Sequence, residues 1–189
     1  MAKETNFINQ LICDNQRDEA FKKLLDLYQE RLYWHIRKLV ITHENADDVL
    51  QNTFIRVYKS LPKFSQKSAL YTWMHKIAYN ESLRFLEQNK NKYHISIDDV
   101  NKKYLDNLME DTFFEGNDLQ IKLQRTLSEL PEKQRQIFNM KYYDDLKFRE
   151  ISEILDIKEG TLKTSYYNTV KHIENNILNI ENFSDKEVN

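Results

Sequence analysis

The run Asn45-Ala46-Asp47-Asp48-Val49-Leu50-Gln51-Asn52-Thr53-Phe54 breaks at Pro62-Lys63-Phe64-Ser65-Gln66-Lys67-Ser68 and resumes at Leu70-Tyr71-Thr72-Trp73, continuing as far as Asn80. Two helices joined by a basic, polar loop with aromatics on either side suit the holding of an unstacked nucleotide. Rings supply stacking faces, and lysines supply charge along a backbone. Covalent chemistry has no comparable constellation. The chain has two glycines, Gly116 and Gly160, whereas loops that cradle phosphates need several so that backbone N–H groups can approach the anion. Its five histidines, His35, His43, His75, His94 and His172, are scattered, and no His-Glu-x-x-His spacing occurs, so no metal and no cofactor is expected. Cys13 is the single cysteine; it cannot form an internal disulfide and has no partner at ligand spacing.

Helices must position that stretch. Phe21, Leu24, Leu25, Tyr28, Leu32, Ile36 and Leu39 recur at three- and four-residue steps, which predicts a long amphipathic helix from Asp18 to about Val40. Asn45 is an N-cap type with Asp48 three residues on, so a second helix is expected to start there and stop before Pro62. Its buried face would comprise Leu50, Phe54, Val57, Tyr58 and Leu61, turning Asp48, Gln51, Asn52 and Ile55 elsewhere. Ser68 is expected to cap a third helix carrying Trp73, Ile77 and Leu83 as far as about Asn89. Three such helices make a self-sufficient bundle.

Further on, Leu119, Leu123, Leu127 and Leu130 predict a helix that ends at Pro131, and Pro131-Glu132-Lys133 starts another carrying Ile137, Phe138 and Met140. Phe148, Ile151, Ile154 and Leu155 stripe a short helix, Asp156-Ile157-Lys158 turns, and Thr161, Leu162, Tyr166, Val170 and Ile173 continue in a longer one. That is the outline of a helix-turn-helix.

The chain of 189 residues, with 40% hydrophobic content, is long enough for one or two small domains with cores of their own. A net charge of -2 conceals a pattern. Residues 1–92 carry 15 Lys/Arg against 11 Asp/Glu, residues 93–119 carry 2 against 7, and residues 120–189 carry 11 against 12. The expected class is therefore all-α: a helical domain over 1–92, an acidic linker over 93–118 with a short helix around Tyr104 to Met109, and a helix-turn-helix domain over 119–189. No run approaches the roughly 18 apolar residues of a membrane span, and Met1-Ala2-Lys3-Glu4-Thr5-Asn6 lacks the apolar core of a secretory signal, so no membrane insertion and a cytoplasmic location are expected.

In this order, the blocks resemble the bacterial RNA polymerase sigma factors of the extracytoplasmic-function group, over about residues 17–178. The likeness is carried most specifically by Asp47-Asp48-Val49-Leu50-Gln51-Asn52-Thr53-Phe54, by Thr72-Trp73-Met74-x-x-Ile77-Ala78-x-Asn80, and by Glu150-Ile151-Ser152-Glu153-Ile154-Leu155 with Gly160-Thr161-Leu162-Lys163. The resemblance implies a non-enzymatic initiation factor whose Asp48, Gln51, Asn52 and Ile55 dock on the largest-subunit clamp of RNA polymerase core. Phe64 to Tyr71 would match the loop that reads the promoter's minus-10 element. In that loop the resemblance assigns Lys63, Lys67 and Lys76 to phosphates, Ser65, Gln66, Ser68 and Asn80 to base edges, and Phe64 and Tyr71 to stacking, against a competing reading of Phe64, Leu70 and Trp73 as core. Lys158 to Lys171 would enter the major groove at minus-35. Lys158, Thr161, Lys163, Thr164, Tyr167 and Lys171 would lie near DNA there, with Lys147 and Arg149 on phosphates.

The resemblance also implies promoter DNA as a partner and an anti-sigma factor as a common further one, with the acidic connector threading toward the polymerase channel. The chain departs from its family at Ser165, where Arg is usual, at Asp156, where the turn usually has Gly, and in the weakly basic tract Glu87 to Lys92. Charges cancel across the helix-turn-helix: Lys147, Arg149, Lys158, Lys163 and Lys171 stand against Glu150, Glu153, Asp156, Glu159 and Glu174. Because non-specific affinity comes from neutralised phosphates, this domain is expected to bind DNA weakly alone. Two other readings stay open on the residues: a degenerate sigma-like interaction protein that binds no DNA, and a stand-alone helix-turn-helix regulator.

Overall fold

A computed structural model of the chain describes residues 2–40, 42–93 and 118–184, and every regular element among them is helical. The chain divides into two compact units, Met1–Tyr93 and His94–Asn189. The acidic linker and the helix expected around Tyr104 lie outside the described residues.

The first unit contains α1 (Ala2–Ile12), α2 (Arg17–Arg37), α3 (His43–Ser60) and α4 (Leu70–Tyr93), with one-turn 3-10 segments at Asp14–Gln16 and Leu61–Lys63. α3 packs on both α2 and α4. Leu24, Leu32, Ile36, Val49, Val57, Leu61, Met74 and Ala78 form the centre of the core. Truncating one of these leucines would leave a cavity costing about 2–5 kcal/mol. Two hydroxyls inside this core are satisfied within their own helices, Thr53 donating to the Val49 carbonyl at 2.7 Å and Ser82 to that of Ala78 at 2.9 Å.

Two helix starts differ from the sequence expectation. α3 begins at His43, because Thr42 is the extended cap residue (φ -117, ψ 159) whose Oγ1 accepts from the Asn45 N–H at 3.2 Å. Asn45 is thus the third helical residue and not the cap. The buried face of α3 also differs: Ala46, Val49, Thr53, Phe54 and Val57 are buried, while Leu50 and Tyr58 are half-buried. α4 starts at Leu70, with the Ala69 carbonyl accepting from Trp73 at 3.0 Å, so Ser68 lies one residue before the cap position. Its core face is Leu70, Met74 and Ala78, flanked by half-buried Trp73, Ile77 and Leu83.

α1 was not expected. Phe7, Ile8, Leu11 and Ile12 give it an apolar face on which Ile8 and Leu11 are buried. Arg17 ties down its end, donating from Nε to the Leu11 carbonyl at 3.1 Å and from Nη2 to that of Ile12 at 2.9 Å. The helix lies against α2 and the 3-10 turn that leads into the 64–69 loop, so it buttresses the start of that loop.

In the second unit, α5 (Asp118–Glu129), α6 (Glu132–Tyr142) and α7 (Phe148–Leu155) surround α8 (Glu159–Ser184). Leu127, Leu130, Phe138 and Ile173 form one core cluster, and Ile137, Met140, Leu146, Ile151, Ile154 and Leu162 are buried beside them. α6 ends where Asp145 adopts φ 53 and the Leu146 N–H returns to the Met140 carbonyl at 3.0 Å. α7 ends at Asp156 in the left-handed conformation (φ 57, ψ 42), its N–H bonded to the Ser152 carbonyl. Asp tolerates this backbone better than most side chains, which is how the turn forms without glycine.

Candidate docking and nucleic-acid surfaces

α3 displays the first surface. Asp48, Gln51, Asn52 and Ile55 follow one another at three-, one- and three-residue steps, share one helix face and are all exposed, Ile55 at 47%. Next to them a groove of about 400 Å³ runs between α2 and α3, lined by Phe21, Leu25, Gln51, Phe54, Ile55, Tyr58 and Lys59. Tyr58 secures the wall of this groove by donating to Asp18 Oδ1 at 2.6 Å, and that carboxylate raises the phenol's pKa, keeping it a neutral donor. A sequence reading does not find the groove, because it needs the facing side chains of two helices. An exposed isoleucine beside an apolar groove, rimmed by amides and carboxylates, has the make-up of a protein interface.

The loop between the 3-10 turn and α4 displays the second. Lys63, Ser65, Gln66 and Lys67 are exposed and Ser68 is half-buried. Gln66 has φ 55, a backbone conformation that costs a non-glycine residue roughly 1–2 kcal/mol and is found preferentially at functional sites. Phe64 is buried in the core with its ring 4.8 Å from Trp73, so the stacking role assigned to Phe64 does not match its position. The ring supports the loop from beneath. Leu70 is also core and Trp73 half-buried.

Tyr71 is half-buried and its ring is crowded. Tyr28 stacks on it at 5.6 Å, the His75 ring meets it at 4.2 Å, and the Arg31 guanidinium carbon lies 4.1 Å from its centroid. Lys76 and Asn80 are exposed one turn and two turns along α4. Arg84 continues the same line at half exposure, a cation that the sequence reading passed over because it precedes the tract where basic residues were sought. Glu81, almost fully buried, binds Arg56 Nε at 2.7 Å and lies 3.6 Å from Arg84 Nη1, locking α4 to α3.

The helix-turn-helix displays the third. Lys147, Arg149, Lys158, Thr161, Lys163, Thr164, Tyr167 and Lys171 are all exposed, Tyr167 at 63%, while Leu162, Thr169 and Ile173 face the core. Lys147 occupies the cap position of α7, where the Glu150 carboxylate accepts its backbone N–H at 2.7 Å. Several of these groups are engaged within the unit. Arg149 pairs with Glu153 at 3.5 Å, Lys163 with Glu159 at 3.8 Å, and the Thr164 hydroxyl donates to the Gly160 carbonyl at 3.1 Å. The space into which a Cβ at Gly160 would project is open to 4 Å, leaving the first turn of α8 accessible to a close approach. Among the described residues no helix is long and apolar enough to cross a membrane.

Known proteins place these surfaces in a family. Residues 24–92 match the profile described as Sigma-70 region 2, and residues 120–173 match that described as Sigma-70, region 4. The chain is 27% identical over 154 residues to the ECF RNA polymerase sigma factor SigW of Bacillus subtilis, covering 77% of this chain and 82% of that one. It is 28% identical over 167 residues to the ECF RNA polymerase sigma-E factor of Haemophilus influenzae, covering 84% and 88%. In fold it resembles the sigma factor RpoE solved with the anti-sigma factor NepR from Bartonella quintana, with TM-score 0.63 and 17% identity over 83% of this chain and 96% of that one. CnrH, solved with the cytosolic domain of CnrY, gives TM-score 0.63 and 16% identity over 89% and 92%. With region 2 on the first unit, region 4 on the second and relatives matched along most of their length, the chain belongs to the sigma-70 family of RNA polymerase sigma factors, in its extracytoplasmic-function group.

Proposed function

We propose that this sigma factor docks on core polymerase through Asp48, Gln51, Asn52 and Ile55, opens the minus-10 element with the 63–71 loop and α4, and holds minus-35 with α8. The observation that carries the reading is the separation of two faces in the first unit. One is acidic, amide-bearing and apolar on α3, and the other is basic and aromatic around Gln66 and Tyr71. A protein partner suits the first, whose groove can receive an apolar side chain of the largest-subunit clamp. Single-stranded DNA suits the second, because a base leaving its stack costs a few kcal/mol and an aromatic platform returns about 1–3 kcal/mol. The arrangement is non-enzymatic, works in the cytoplasm where polymerase and promoters are, and leaves the exposed faces of α3 and α8 to an anti-sigma factor, a kind of partner present in the solved structure of RpoE.

Co-purification with core polymerase tests the docking claim. Ile55→Ala and Gln51→Ala are each expected to weaken core binding by about 1–2 kcal/mol without lowering the melting temperature. Unchanged core affinity in both variants would remove the face from the account.

A further inference from the structure

The stripe Leu27, Arg31, Trp34 and Lys38 on α2 has no part in the assignments above. Steps of four, three and four residues keep the four positions within about 60° of one another at 3.6 residues per turn. Leu27 is 60% exposed, Trp34 is 44% exposed and Arg31 is exposed. The nearest carboxylates along the helix, Asp26 and Glu30, fall outside the sector. An indole this open forgoes much of the stabilisation that burying the ring would give. Its position is nonetheless defined, because the Tyr33 ring meets it edge to face at 5.4 Å.

The stripe is continuous with the nucleotide site. Arg31 lies over the ring of Tyr71, and Tyr28, one turn earlier on α2, stacks on that same ring with an interplanar angle of 25°. An exposed aromatic one turn from an exposed arginine, on a sector of α2 that carries no carboxylate, fits a single strand: every base has a face to stack, and the arginine can meet a phosphate.

We propose that α2 forms a second wall of the single-strand site, in which Arg31 leaves the Tyr71 ring it now covers for the phosphate beside the base held there, and Trp34 stacks the neighbouring base. The proposal rests on the reading of Tyr71 as a base platform. Its occupant is the opened promoter strand, favoured over a protein partner by the charge of the stripe and its continuity with Tyr71.

Holoenzyme binding to promoter DNA carrying single abasic sites, scanned along the opened strand, separates the possibilities. On intact DNA, Trp34→Ala is expected to lower stable open-complex formation roughly tenfold. That loss disappears when one particular base is absent, at the position adjoining the one where the Tyr71→Ala loss disappears. Trp34→Phe retains most of the activity, and Arg31→Ala lowers the salt slope of binding by about 0.7 while Arg31→Lys preserves it. A Trp34→Ala loss of equal size at every abasic position, or one that appears in core binding instead, overturns the proposal. If Tyr71 couples to a base and Trp34 couples to none, the α2 wall is wrong and the Tyr71 reading stands. If neither couples, the reading of Tyr71 fails as well.

Discussion

The two surfaces proposed to face DNA are built on opposite electrostatic principles. In the first unit the acid next to the binding face, Glu81, is buried and committed to Arg56 and Arg84, while Lys63, Lys67 and Lys76 point outward. On the helix-turn-helix the acids are exposed or half-exposed and paired with the very cations that would meet phosphate: Glu153 with Arg149 and Glu159 with Lys163. Exposed i,i+4 pairs are worth only a few tenths of a kcal/mol, so DNA can displace them. Displacement still leaves the carboxylates near the duplex, which lowers the number of phosphates effectively neutralised. The first surface is net basic; the second is electrically self-cancelling. On the proposed reading, specific minus-35 contacts by such a helix need the added affinity of a polymerase already held by the first unit.

The sharpest way to break this comparison is to remove the aromatic platform. Tyr71→Ala is expected to reduce open-complex formation on duplex promoters by about 10- to 100-fold, with a smaller loss on a pre-melted bubble, because stacking then no longer offsets strand opening. Gel-shift and permanganate reactivity measurements on both templates check it, and equal losses on the two would remove Tyr71 from the opening step. Next in size, Glu81→Gln replaces a charge-assisted clamp by a neutral one and is expected to destabilise the first unit by about 1–3 kcal/mol, seen as a lower melting temperature. No change would mean that the α3–α4 packing holds without that carboxylate.

Two smaller effects sharpen the other side. Asp156→Gly relieves the left-handed backbone and should stabilise the helix-turn-helix by about 1 kcal/mol in chemical denaturation. Glu159→Gln frees Lys163 and should strengthen holoenzyme binding to minus-35 DNA by about two- to threefold at low salt, with a steeper salt dependence. Unaltered salt dependence would show that Lys163 does not face phosphate.

Much of this was legible in the residues because helical periodicity is a local signal. The all-α class, the helices around Pro131 and the helix-turn-helix outline follow from spacing, whereas the special place of Asp156 in the turn came from the resemblance. What escaped was decided by alternatives of nearly equal local merit or by tertiary context. Thr42 and Asn45 are both good caps, three residues apart, and the buried face of α3, Ala46 and Val49 in place of Leu50 and Tyr58, was set by its packing on α2 and α4. α1 carries a clear apolar spacing at Phe7, Ile8, Leu11 and Ile12, yet asking only whether the first residues form a signal sequence passes it by. Phe64 and Tyr71 are both aromatics beside one loop, and nothing in their spacing says that one is core and the other half-open. Arg31 and the groove beside Ile55 are visible only once α2 is placed against α4 and α3.

Run-off transcription with purified core polymerase and a library of genomic promoters tests the central claim most directly. The account predicts discrete transcripts that require this chain and fall sharply with Tyr71→Ala; tight core binding with no transcript from any genomic promoter would contradict it.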